Sequence, residues 1–140
     1  MASGRLSEVA VTDNLKDDGA MLRGVLIGDS LRPGAVLEGF PLTVTRIERA
    51  LAGQGEQPPF WTMIWFEVPD TYAEQLADAL AEVLQSQHGW YCDFQSDSEV
   101  TVVFAGRTFR YRRGDVAARR EVVAYARSVG VPDAQLDWSE

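Results

Sequence analysis

Residues 60–68, Phe-Trp-Thr-Met-Ile-Trp-Phe-Glu-Val, restrict the fold more than any other stretch of this chain. Side chains on a strand alternate between faces. One face would carry Phe60, Thr62, Ile64, Phe66 and Val68, and the other Trp61, Met63, Trp65 and Glu67. Both faces are largely apolar, so the strand is expected inside a sheet and covered on both sides. A layer of helices supplies one cover. The second must come from the N-terminal segment 21–37, a partner subunit or a ligand.

The flanking sequence supplies the first layer. Pro69-Asp70-Thr71 opens a helix, with Thr71 and Glu74 spaced as a capping box. Tyr72, Leu76, Leu80 and Leu84 form its apolar stripe, and the helix is expected to run to about Gln87, before Gly89. Three strands follow, near Trp90–Gln95, Glu99–Ala105 and Thr108–Arg112, joined by turns short enough for hairpins. Asp115 is placed to cap a second helix whose buried face is Ala118, Val122, Tyr125, Ala126 and Val129. Gly130 and Pro132 stop that helix, and the tail after it is expected to dock through Leu136 and Trp138.

Upstream, residues 20–31 read equally as a short helix or a strand. Gly24 and Gly28 count against the helix, and their GxxxG spacing lies in a segment too short for a membrane dimer. Residues 35–48 read as a hairpin or one bent strand, and 51–59, with two Gly and two Pro, as a loop. Residues 1–19 lack periodicity and are expected to be a disordered leader. Residues 20–140 then make one α+β domain. Strand 60–68, its helix and the returning meander resemble the first part of a ferredoxin-like unit. The expected class is α+β: an antiparallel sheet of four to five strands packed with two main helices. The order is a ferredoxin-like-related βαββ(β)α, with the N-terminal apolar segment added. Such a resemblance concerns fold alone.

Composition narrows the chemistry. The chain has 140 residues and one cysteine, Cys92, so no internal disulfide forms. One cysteine and one histidine do not build a four-ligand zinc site. A net charge of −8 disfavours non-specific nucleic-acid binding. No apolar stretch approaches the ~20 residues of a membrane helix. Met1–Ala20 lacks a basic start and an apolar core, so the expected location is cytoplasmic. Lys16 is the only lysine among 13 basic residues, a bias expected of a GC-rich bacterial genome.

Four groups of residues invite a chemical reading. Cys92 lies near His88 and Asp93, but it falls on a strand with Trp90 and Phe94 on its face, where a cysteine acts as a small hydrophobe. Trp61, Trp65 and Trp90 form an aromatic set that core packing, a dimer interface or a ligand pocket would explain. Residues 107–120 hold six Arg against one Asp. There Arg110 and Arg112 share one strand face, and Arg107, Phe109, Tyr111 and Arg113 the other. Arg mixed with aromatics can bind nucleic acid or an anion, and the plainer reading is a solvated edge paired with Glu99 or Glu121. Asp70, Glu74 and Asp78 line one helix face as a solvated surface. No GxGxxG, P-loop, HExxH or GxSxG pattern occurs.

The expectation is therefore a non-catalytic binding or interaction module. Its partner would be a protein, a second copy of itself or a small ligand, with Trp61, Trp65, Trp90, Arg110 and Arg112 as the binding residues. No cofactor or metal is implied. The first alternative is a small enzyme with an aromatic and Arg-lined pocket for an anionic substrate. The second is RNA binding through strand 107–113, which the acidic balance disfavours.

Overall fold

The computed structural model describes residues 20–138, and the leader expected over residues 1–19 lies outside the described residues. Strands β1 (Met21–Ile27), β2 (Thr43–Leu51), β3 (Phe60–Pro69), β4 (Cys92–Gln95), β5 (Glu99–Phe104) and β6 (Arg107–Arg112) build one sheet. Their order is β2-β3-β1-β4-β5-β6, and every neighbouring pair is antiparallel. Helix α1 (Ala73–Val83) follows β3, and α2 (Val116–Ser128) follows β6.

Strand β3 is an interior strand, held by β2 on one side and β1 on the other. Its two apolar faces have different covers. Ile64, Phe66 and Val68 pack with Leu76 and Leu80 of α1, while Trp61 and Met63 turn to the opposite layer. The ambiguous segment 20–31 resolves as strand β1 followed by a single 3-10 turn, Gly28–Ser30. Strand geometry wins because Leu22 and Leu26 reach the α1 layer while Ile27 reaches Trp61 on the other side. Gly24 also has a steric reason. A Cβ there would sit 2.7 Å from both Phe66 Cζ and Phe94 Cβ and 2.8 Å from the carbonyl oxygen of Asp93.

The sheet departs from expectation in size and order. It has six strands rather than four to five, because β1 and β2 both join it. The ferredoxin-like order is not matched either. Strands β3 and β4 are both antiparallel to β1, hence parallel to each other, and α1 crosses between them with β1 filling the gap. The strand in the gap therefore precedes the βαβ unit in sequence instead of following it. In addition, α2 lies on the opposite face from α1. Valines 102 and 103 alternate on β5: Val103 packs in the α1 layer and Val102 with Val122 and Ala126 of α2.

Other corrections are local. The hairpin or bent strand expected over 35–48 is only β2, from Thr43. Upstream, the backbone turns at Gly34 and Gly39, and Leu37, Phe40 and Leu42 fold onto the α1 core as an irregular flap. The capping box is absent. Asp70–Tyr72 is a 3-10 turn and α1 starts at Ala73 with no side-chain cap. Helix α1 ends at Val83, not Gln87, because Leu84 turns extended and bridges to Leu31. The donor Nε2 of Gln85 then reaches the carbonyls of Asp29 and Leu31. The meander strands agree with expectation to within two residues. In α2, Asp115 Oδ1 accepts from the Ala118 amide at 3.0 Å, and Gly130 stands at φ +93° past the C-terminus.

Beyond Gly130 the chain returns across the α2 side of the sheet. Trp138 is buried beside Tyr91 and Phe104, with ring centroids 5.2 and 6.4 Å away. Its indole N–H is buried without an acceptor among the described residues. Arg119 of α2 holds this segment, donating from Nε to the Trp138 carbonyl at 3.2 Å. The Tyr91 hydroxyl donates to the Gln135 carbonyl at 3.0 Å.

Candidate functional site

On the α1 side, one helix and the flap cover the middle of the sheet. On the α2 side the cover is incomplete. Helix α2 sits over β5 and β6, and the C-terminal segment stops over β4, so the β3–β1–β4 stretch stays partly open. Two adjoining depressions of about 360 and 230 Å³ occupy the gap and share Val25, Asp93 and Gln95 as floor. The larger is walled by Trp61 and Met63 on one side and by Gln135, Asp137 and Trp138 on the other. The smaller runs to Trp65, Glu67 and Thr45.

Strand alternation puts these groups on one surface. Val25, Met63, Trp65, Asp93 and Gln95 occupy corresponding positions on three adjacent strands: Val25 is paired with Trp65 on one side and with Asp93 on the other. All five are half-buried. Arg46 of β2 stacks over the Trp65 ring, 4.8 Å from its centroid, and forms the outer rim. The cation shields one indole while Met63 and Val25 beside it keep apolar surface toward solvent.

The charge of the floor is acidic. Burial pushes the Asp93 carboxyl up from 3.8 to about 6, and the neighbouring carboxylate of Asp137 adds to the rise against a backbone hydrogen bond that lowers it. Burial, with Asp93 and Asp137 nearby, also pushes the Tyr91 phenol well up, so its proton stays on the oxygen that donates to Gln135. A carboxylate pair beside apolar rings suits a positively charged group better than an anion.

The sequence candidates scatter. Trp61 and Trp90 come together, 5.2 Å between centroids, and are buried with Ile27. The Trp61 indole N–H donates to the Pro58 carbonyl at 3.0 Å. That pair is a chain-supplied cover: Trp61 walls the larger depression but is itself buried, and of the three only Trp65 is half-exposed. Trp90 does not share the face of Cys92 and Phe94, as its spacing suggested. Gly89, at φ +70° and tight against the Gly130 carbonyl, turns the chain before β4 begins. Cys92 is fully buried in the α1 layer, donates to the Val25 carbonyl at 3.3 Å, and burial pushes its thiol far up. A protonated, enclosed thiol is a packing group, not a nucleophile. His88 sits outside, 3.7 Å from Glu56.

Arg110 and Arg112 lie on edge strand β6, on the face opposite the depressions, and both are exposed. Arg110 is 3.9 Å from Glu99, and Arg112 stands directly across from the same residue. Arg107 stacks on Phe109 and Tyr125, at 4.6 and 5.1 Å. Arg113 donates to the Ser96 carbonyl at 3.2 Å and to the Gln95 side chain. These four arginines are thus divided among three structural tasks, and Arg119 has a fourth in holding the C-terminal segment.

Sequence reading missed Val25, Asp93, Gln95 and Asp137 as site residues. The available signal was the polar alternation Tyr91, Asp93, Gln95 along β4. It gains meaning only with β1 seated between β3 and β4, which local sequence does not specify. Among the described residues, no group of three His, Cys, Asp or Glu side chains is arranged to hold a metal ion. No helix is long and apolar enough to cross a membrane. Comparison with protein-family models, with curated proteins and with solved structures finds no match for this chain.

Proposed function

We propose that this protein is a non-catalytic interaction module whose working surface is the half-open sheet face floored by Val25, Met63, Trp65 and Asp93. One observation carries the reading: the chain covers this face from β6 only as far as β4 and leaves aromatic and aliphatic groups beside a carboxylate pair. Partly desolvated aromatics beside polar groups are the usual make-up of a recognition surface. The occupant that fits is an extended segment of a partner protein alternating apolar and basic side chains. Its apolar groups would lie on Val25 and Met63, and a basic group would meet Asp93 and Asp137.

The reading of Arg110 and Arg112 as anion-binding residues draws no support from their placement, since they face away from the aromatic floor. RNA binding through β6 is likewise weakened by Arg107 and Arg110 having partners of their own.

Titration with a short alternating Leu/Arg peptide, and with its Leu/Glu counterpart, tests the proposal by backbone and methyl NMR. Saturable shifts at Val25, Met63, Trp65 and Asp93 with the basic peptide alone are expected. Shifts centred on Arg110 and Arg112 with the acidic peptide, or no saturable shift with either, would refute it.

A further inference from the structure

Asp93 stands in the floor of the open face between two aliphatic neighbours. From β4 it pairs with Val25 of β1 on one side and Val102 of β5 on the other, so both flanking side chains on its face are valines. Val102 belongs to the core under α2, and Val25 lines both depressions. The C-terminal segment brings Asp137 to the larger depression, and the two carboxylates repel each other.

A carboxyl in that setting needs either a cation or a proton. The chain supplies no cation. Among the described residues neither Asp93 nor Asp137 forms an ion pair. The arginines around the floor have other partners. Arg23 of β1 reaches Asp97, 3.4 Å away, and stands across from Glu67 of β3. Arg113, just past β6, donates to the Ser96 carbonyl and the Gln95 side chain. Arg119 of α2 donates to the carbonyls of Trp138 and Leu136. Tyr91, Tyr111 and, on the opposite face, Cys92 also titrate near Asp93. Burial pushes all three up, so they keep their protons at neutral pH.

We infer that binding at the open face is coupled to a proton: the partner's basic side chain enters beside Asp93 and Asp137, and Asp93 gives up a proton to solvent as it arrives. This inference rests on the reading of that face as a recognition surface and adds how the surface is controlled. The cation takes the place of the proton beside the carboxylate pair, so the partner is held at neutral pH and released on acidification. The direction follows from linkage. Burial and Asp137 raise the Asp93 carboxyl to about 6, so it is half protonated at that pH in the free protein. A cation favours the ionised form. The complex then carries fewer protons than its parts, and affinity falls as pH drops through 6. Apolar contact on Val25 and Met63 involves no proton and sets the affinity that remains in acid.

Isothermal titration calorimetry of the full chain with the Leu/Arg peptide, its ends acetylated and amidated, tests the coupling at constant ionic strength. Such a peptide has no group that titrates between pH 5 and pH 8. Buffers of different ionisation enthalpy then report the protons released per peptide bound. About half a proton should leave at pH 6 and almost none at pH 8, and the dissociation constant should rise about tenfold from pH 7.5 to pH 5. Asp93→Asn should abolish the release and bind with the weaker affinity at every pH. His88, the only histidine, lies outside the depressions beside Glu56, so a release that survives in Asp93→Asn would come from another group. That survival, or saturable binding with no proton released at pH 6, would overturn the inference and leave the recognition surface in place. Failure of the peptide to bind at pH 7.5 would remove the recognition surface itself, and the coupling with it.

Discussion

Asp93 is the residue at which folding and recognition pull in opposite directions. Its carboxyl titrates near 6 in the folded chain against 3.8 ordinarily. The folded state therefore holds a proton that the unfolded state has already released, and stability falls as pH rises from about 3.8 to about 6. Above that window the penalty is constant, at about 3 kcal/mol. Asp93→Asn should remove it. Urea unfolding should show the variant gaining on the parent between pH 4 and pH 7, and an equal difference at both would contradict the assignment. A penalty of this kind is retained where a charge serves binding, which fits its place on the open floor. Gly24 gives a purely structural counterpart. A methyl group there meets backbone and ring atoms below 3.0 Å. Gly24→Ala should cost roughly 1–3 kcal/mol in chemical denaturation by overpacking. A neutral result would mean that β1 moves away from Phe66 and Phe94 with ease.

At the scale of elements, the C-terminal segment decides how much of the sheet face is open. It has one irregular turn and is held by Tyr91, Arg119 and the burial of Trp138. Arg119→Ala removes donors to the Trp138 and Leu136 carbonyls, at a cost of about 1–2 kcal/mol. Hydrogen exchange should then accelerate over residues 133–138 with β1 and β3 unchanged. Acceleration throughout the sheet would show instead that Arg119 supports the whole core. Sequence showed these elements unevenly. Strand β3, α2 with its Asp115 cap and the Trp138 dock were legible, because each is written in local periodicity or in a cap. The seat of β1 between β3 and β4 was not, since it depends on the Gly24 gap between two phenylalanines far apart in sequence. With β1 unplaced, the polar face of β4 had no neighbour, and the open floor could not be assembled. On sequence alone the three tryptophans form one aromatic set. Tertiary packing divides them, because Gly89 turns Trp90 onto Trp61.

For the whole molecule, two helices on opposite faces of a six-stranded sheet leave one region without a full cover. The chain's net charge of −8 adds a long-range attraction for a basic partner. Binding of the Leu/Arg peptide should accordingly weaken as salt rises from 50 to 500 mM, because screening shortens the reach of that field to a few ångströms. Affinity independent of salt would place the interaction on apolar contact alone. The central requirement is that the β3–β1–β4 surface faces solvent in the free protein. Hydroxyl-radical footprinting, read residue by residue by mass spectrometry, measures this directly. Trp65 and Met63 should be modified several-fold faster than Trp61, Trp90 and Trp138, which the chain itself encloses. Equal protection of all four tryptophans would mean that the face is already covered, and the account of it as a recognition surface would fall.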